Sequence, residues 1–506
     1  MKGNALRAAV AAGLVASAAS ANAVELSPDG TGQVLIYPYY TVNRNQQTII
    51  SVVNATNVAK AVRVRFLEGY NAREVMDFNL FLSDFDVWTA SIFALSDAGL
   101  TGDGAAIMTT DRSCTAPGKD YWTGALGTGR PYNEFRMSAF TGARADSGPT
   151  DVTRTREGHI ELVQMADLGG PLRTAVTHTA AGTPANCQVI QSIDPAHTAL
   201  LPPTGGLFGA GGIVNVAQGT FHAYNADAIG GFSKVVLFAE PGMPTPSLAQ
   251  TNTAPGVATA FTFDAAGELF RSDYVTTGQP SQAVDAVSAL FMASYLLNEY
   301  NVDASAGSNT DWVVTFPTKR FYVDPEILGL PLRSAGALPP FTYTFGERSV
   351  VNGTTYNGDA QSCSRVDVVP FDREEGRPVG PAPGFPPVPP VLPTALCRSV
   401  NVVSMLYTSA TEPPAESAVL GSRLHDNARP FSAAGWMRLS FDPSSQPHAL
   451  RASRDGDVFR GLPATGFQAV NYVNSNVVAG VLANYSAAFR HRAVRTCVNG
   501  TSSPCN

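Results

Sequence analysis

Between residues 62 and 92 the chain alternates apolar and polar side chains, and this period limits what the segment can become. Val62, Val64 and Phe66 flank Arg63 and Arg65; Met76, Phe78, Leu80 and Leu82 are interleaved with Asp77 and Asn79; Trp88, Ala90 and Ile92 flank Thr89 and Ser91. A repeat of two sends successive side chains to opposite faces of an extended chain, so each run predicts a strand with one buried face. Residues 34–37 and 49–53 are strand-like as well. The breaks between runs hold turn formers: Asn54 and Asn57, Gly69 and Asn71, Ser83 and Asp84, Ser96 and Asp97.

Five short strands at roughly ten-residue spacing predict an antiparallel sandwich. The pattern resembles an immunoglobulin-like or fibronectin-like module over about 70 residues, without the Cys-Trp-Cys signature. Such a likeness implies a fold and carries no function. Further strand signals occur at residues 159–165, 212–216, 234–238, 312–316, 398–407, 436–441 and 467–473. Residues 281–300 differ: Val284, Val287, Leu290, Phe291 and Ser294 fall at helical spacings after Pro280-Ser281, so one helix is expected there. The expected fold class is mainly β, an immunoglobulin-like antiparallel β-sandwich N-terminal module followed by a further β-rich region with one helix.

Two proline-rich stretches divide the chain. Pro241, Gly242, Pro244, Pro246 and Pro255 mark residues 241–255 as a linker between an N-terminal sandwich-like domain, 24–240, and a C-terminal β-rich domain, 256–506. In residues 378–393, eight of sixteen residues are proline, which predicts an extended surface loop inside the second domain.

Residues 1–23 read as a secretory signal peptide. Lys2 and Arg7 give the positive start, residues 8–19 a short apolar run, and Ala21-Asn22-Ala23 the small-x-small cleavage pattern, leaving Val24 as the first mature residue. The run is shorter than the roughly 20 residues of a spanning helix, and no cysteine closely follows it to carry a lipid. No later stretch reads as a transmembrane segment. The expected location is across the inner membrane: periplasmic, cell surface or secreted.

Export sets the redox conditions for the six cysteines. An even count in an oxidising compartment favours disulfides, and neighbour pairing would join Cys114 to Cys187, Cys363 to Cys397 and Cys497 to Cys505, with other connectivities open. Zinc ligation is disfavoured, because there is no Cys-x-x-Cys and no histidine lies between the closest pair. A net charge of −7 supplies no basic field, so nucleic acid is not expected as a partner. Charged residues make up only 15% of the chain, against about 25% in an average soluble protein. The surface must therefore be covered largely by uncharged polar side chains.

Catalytic motifs are missing from the linear sequence: no His-Glu-x-x-His, no Gly-x-Ser-x-Gly, no phosphate-binding loop. His178 and His425 could join a site assembled in space, but neither has a ligand or triad partner at a diagnostic spacing. Leu201-Pro-Pro-Thr-Gly205 and Leu462-Pro-Ala-Thr-Gly466 match a wall-sorting pattern, yet polar residues interrupt the apolar stretch after the second, so both read as turns before strands. No cofactor is expected. Asp84, Asp86, Asp97, Asp103, Asp455 and Asp457 offer oxygen ligands for calcium, although acids in turns usually bond their own backbone.

These readings point to an exported, non-enzymatic envelope or extracellular protein acting by surface interaction, structural or adhesion-like. The alternatives are a secreted hydrolase with a loop-built site, using acids such as Asp84 or Glu161, and a small-ligand-binding module with a deep apolar pocket.

Overall fold

A computed structural model describes residues 23–127, 129–263, 267–278, 281–374, 376, 392–407, 414–474, 478, 480–500 and 503–505. The expected signal peptide, apart from Ala23, and residues 378–391 of the proline-rich loop lie outside them. The protein is mainly β, as the alternation predicts.

Two large antiparallel sheets share one core. The first has eight strands in the order Glu25–Leu26, Asp227–Gly230, Val34–Thr41, Glu157–Leu168, Ala59–Glu68, Glu74–Leu82 and Cys114–Ala116, with Leu200–Leu201 pairing beside Glu157–Leu168. The second has seven, ordered Thr220–Asn225, Leu207–Asn215, Gln47–Asn54, Val87–Ala94, Ala105–Met108, Arg130–Glu134 and Gly124–Leu126. Val62, Val64, Phe66, Phe78 and Leu80 from the first sheet meet Ile50, Val52, Trp88, Ala90 and Ile92 from the second. These are the apolar members of the period-two runs. An immunoglobulin domain has about seven to nine strands in total, so the likeness extends only to two antiparallel sheets packed face to face.

The polar face of the first sheet departs from expectation, because it is buried too. Arg63, Arg65, His159 and Glu161 are all inaccessible or nearly so. The proline-rich stretch at 241–255 runs across this face. Arg65 donates to the Met243 carbonyl at 2.6 Å, and Arg63 to the carbonyls of Glu240 and Thr245. Each arginine also has a carboxylate partner, Asp77 for Arg63 and Glu74 for Arg65 at 2.8 Å. Pairing is what makes such burial tolerable, since an unpaired buried charge costs several kcal/mol, on the order of 3–5. Residues 234–238, expected as a strand, also cross this face as irregular chain, with Phe238 against Phe81 at 6.4 Å.

Besides short two- and three-stranded ribbons, the rest of the described chain builds two smaller sheets. One orders Asp367–Asp372, Ala434–Ser440, Tyr295–Asn301 and Arg492–Val494; the other orders His425–Ala428, Val400–Met405, Ser308–Thr315, Thr465–Tyr472 and Tyr485–Arg490. Trp312, Leu296, Met437 and Leu439 pack there in a core that also takes Val34, Ile36, Val163 and Ile229 from the first large sheet. Residues from both halves of the chain thus lie in one core.

The helix is shorter than its periodicity suggests and is not alone. It spans Ala283–Phe291, after which Met292–Ala293 pairs with Leu462–Pro463 and Tyr295–Asn301 pairs with Ala434–Ser440. Leu296 and Tyr300 fit both a helical and an alternating pattern; two available strand partners decide between them. Four further α-helices occur among the described residues: Gly170–Val176, Cys187–Gln191, Arg320–Val323 and Pro325–Leu328. All are short connectors without a long apolar stripe, which is why sequence periodicity does not reveal them.

The disulfides are Cys114–Cys187, Cys363–Cys397 and Cys497–Cys505, the neighbour pairing. The first ties the edge strand Cys114–Ala116 to the helix Cys187–Gln191.

Candidate functional site

The four tryptophans single out one place. Trp88, Trp122 and Trp312 are buried, whereas Trp436 is 39% exposed. Along Ala434–Ser440, Met437 and Leu439 point into the core and Trp436 and Arg438 point outward, as a strand requires. Trp436 lies directly opposite Phe371 on one neighbouring strand and Glu299 on the other. The two rings stack with centroids 4.1 Å apart and planes 8° from parallel. Gly435 makes room for this: a Cβ there would come within 1.9 Å of the Phe371 carbonyl oxygen.

On the side toward Glu299 a groove of about 610 Å³ opens between the two smaller sheets, bounded also by Asn298, Gln468, Phe489, Arg490 and Arg492. Its floor is made where the chain passes from Tyr485–Arg490 in one sheet to Arg492–Val494 in the other. His491 is the corner. Its Nε2 meets the Val313 carbonyl at 2.9 Å and its Nδ1 meets the Asn298 amide nitrogen at 3.0 Å. Nε2 therefore carries the proton and Nδ1 accepts, which is the neutral imidazole. Burial pushes its pKa down to about 4, and Trp312 packs on the ring at 4.9 Å.

Among the described residues, two polar side chains of the groove have no hydrogen-bond or ion-pair partner and a third has one long contact. Gln468 is a buried residue, 4% exposed, whose amide makes no hydrogen bond among the described residues. Glu299 uses its backbone carbonyl to accept from Trp312 Nε1 at 3.0 Å, while its carboxylate has no partner there. Among the described residues Arg492 has no carboxylate partner; its contact is the Arg490 carbonyl at 3.5 Å. Arg490, by contrast, is paired with the buried Asp227 at 2.6 Å. Burial raises the Asp227 carboxyl above its usual range, against the pull of Arg490 and Thr465. The groove thus combines one flat aromatic face with an amide, a carboxylate and a guanidinium whose hydrogen-bonding capacity is open.

A second cleft, of about 500 Å³, sits beside the Cys114–Cys187 bridge, between Ala116 and Pro117 on one side and Ile190 and Ile193 on the other. Asn79 lines it. The Asn79 side chain is buried, its Nδ2 donates to the Ala239 carbonyl at 2.9 Å, and its Oδ1 has no partner among the described residues.

The residues considered from sequence for hydrolysis do not assemble. Glu161 is fully buried; burial raises its carboxyl, but Arg320 at 3.5 Å and His159 at 3.9 Å outweigh this and hold it below the usual value. Asp84 lies toward the surface, paired with Arg173. Glu161 sits across from Arg65, whereas Lys60 sits across from Leu82, two residues before Asp84. That offset is about 17 Å along the strand, beyond the roughly 5–9.5 Å that separates glycosidase carboxylates. His178 does meet a serine and an acid, Ser83 Oγ at 3.1 Å and Asp86 Oδ2 at 3.9 Å, but both approach the same Nδ1. A proton relay needs them on opposite ring nitrogens. His425 instead contacts the Pro414 carbonyl at 3.1 Å.

Nor do the calcium candidates converge. Asp86 accepts from the Ser83 backbone at 3.0 Å, the local bonding expected of a turn acid, and from Ser113 Oγ at 3.2 Å, while Asp457, on a strand, accepts from Asn499 at 2.7 Å and Ser272 at 3.2 Å. Among the described residues the one group with ligand spacing is Asp457, Cys497 and Cys505, and its two sulfurs are joined to each other. The Trp436 groove escaped sequence reading because its walls come from five separated strands and share no local motif. A tryptophan on the polar phase of an alternating strand was the available signal. No family model matches the chain, and no curated protein or solved structure matches it.

Proposed function

We propose that the protein is an exported, non-enzymatic component of the cell envelope or extracellular space that acts by binding through the Trp436 groove. The observation that carries this reading is the exposed Trp436, stacked on Phe371, beside the amide of the largely buried Gln468, which has no partner among the described residues. A large side chain is left half in water where an alternating strand would ordinarily place a polar one, and aromatic residues of this kind dominate binding surfaces. Export is supported by the leader at residues 1–23 and by three disulfides, which persist in oxidising compartments. No helix among the described residues is long and apolar enough to cross a membrane.

The test has two parts. Fractionation with N-terminal sequencing is expected to find a chain beginning at Val24 outside the cytoplasm; cytoplasmic protein with its leader intact overturns export. Sedimentation of the purified mature protein with isolated envelopes is expected to show binding that Trp436→Ala removes; binding unaffected by that change overturns the role of the groove.

A second reading, a small-ligand-binding module, is favoured by one observation, the orphaned Asn79 Oδ1 beside the Cys114–Cys187 cleft. A buried acceptor without a partner costs about 1–3 kcal/mol, which a ligand donor would recover. Its test is a melting-temperature screen of small amphipathic molecules against wild type and Asn79→Leu. No molecule that stabilises the wild type alone means no such module.

A further inference from the structure

We infer that the Trp436 groove binds a neutral glycan through the face of a pyranose ring. This rests on the binding role proposed above and adds the ligand class.

Three features argue for it. The first is the flat wall. Phe371 backs Trp436 at 4.1 Å and holds the indole at a fixed angle, so the free face toward Glu299 is a rigid apolar plate. A pyranose offers a matching flat patch of C–H groups, apolar in the middle and polar around its rim.

Secondly, the open groups on the floor are of both kinds. Gln468 can donate and accept, Glu299 only accepts, and Arg492 only donates. A hydroxyl is donor and acceptor at once, so neighbouring sugar hydroxyls can satisfy all three together. An aliphatic chain could satisfy none of them and would cover the Gln468 amide without giving it a partner.

The third is charge. Glu299 and Arg492 cancel, and Arg490 is already paired with Asp227 at 2.6 Å. The groove therefore has no surplus positive charge for a phosphate or a uronic acid, and the Glu299 carboxylate would repel either. The net charge of −7 over the chain acts in the same sense. A groove of about 610 Å³ lies within the ordinary size range of ligand sites, about 300–1,000 Å³.

The experiment is native affinity electrophoresis of the purified mature protein in gels containing dextran, mannan, xylan or hydroxyethyl cellulose, with alginate as the acidic polymer and RNA as the phosphate polymer. Retardation by at least one neutral polysaccharide is expected, with neither alginate nor RNA retarding the protein. Trp436→Ala should weaken the retarding interaction about tenfold or more, Gln468→Leu should weaken it as well, and Trp436→Phe should retain most of it. Unchanged melting temperatures and circular dichroism establish that the variants are folded. No retardation in any neutral gel, retardation only by alginate or RNA, or retardation that Trp436→Ala leaves intact overturns the assignment. Envelope sedimentation that depends on Trp436 while every neutral gel is silent sinks the glycan and keeps the binding role; failure of both sinks both.

Discussion

The side-chain amide of Asn298 donates to Nδ1 of His491 at 3.0 Å, and this bond joins the two smaller sheets at the floor of the groove. Asn298 also donates to the Phe489 carbonyl at 3.0 Å and accepts from the Glu299 backbone at 3.0 Å. One amide thereby positions three residues around the groove. The arrangement holds only while His491 is neutral, because a protonated imidazole has no acceptor for Asn298.

Acid should therefore destabilise the protein. Burial lowers the pKa of both His491 and His222 from 6.5 to about 4. Between those values the unfolded chain takes up protons that the folded one refuses, so stability falls as pH drops from 6.5 toward 4, by about 3 kcal/mol for each histidine. Urea denaturation at pH 7 and pH near 4.5 checks this: His491→Gln should lose visibly less stability between them than the wild type, and an equal loss refutes it.

Asp285 acts in the opposite direction. It is buried on the helix Ala283–Phe291, accepts from the Tyr322 hydroxyl at 2.7 Å, and has its pKa raised by burial from 3.8 to about 6. The folded state then binds a proton before the unfolded state does, adding stability as pH falls from about 6 toward 3.8. Asp285→Asn should make the acid loss steeper than in the wild type, measured by the same denaturation series.

The three disulfides should differ in worth. They close segments of 73, 34 and 8 residues, for Cys114–Cys187, Cys363–Cys397 and Cys497–Cys505. Chain entropy ranks them in that order, with about 2 kcal/mol between the first and the last. Paired Cys→Ser variants, compared by melting temperature, should fall furthest for Cys114/Cys187 and least for Cys497/Cys505.

Arg154 closes a buried ionic cluster. It donates to Glu68 at 2.8 and 3.0 Å and to Asp146 at 2.9 Å, with its guanidinium 4.3 Å from the Phe140 ring centre. Arg154→Met keeps the bulk but strands two buried carboxylates, and should cost about 3–5 kcal/mol. Denaturation at pH 7 measures it; a loss below about 1 kcal/mol would show that water replaces the arginine.

Gly435 separates the stack from the fold. A methyl group at this position meets the Phe371 carbonyl oxygen, so the strands must move apart where Phe371 lies on Trp436. Gly435→Ala should cost about 1–3 kcal/mol and reduce envelope binding, read by melting temperature and sedimentation together.

Much of the framework is written locally. Val62, Val64, Phe66, Trp88 and Ile92 alternate because a strand has two faces, and the core between the large sheets takes up these residues. The cysteines, read with the leader, pair as neighbours. What local pattern cannot express is the destination of the other face. Arg63, Arg65 and Glu161 look like solvent positions until the stretch 241–255 and Arg320 cover them, since a period of two separates the faces without saying which meets water. Residues 292–301 keep an apolar spacing suited to a helix, and partners more than 130 positions away draw them into a sheet. The groove is the extreme case. Glu299, Phe371, Trp436, Gln468 and Phe489 are ordinary residues on five strands; strand register alone sets them side by side, and register is decided by the packing of the whole chain.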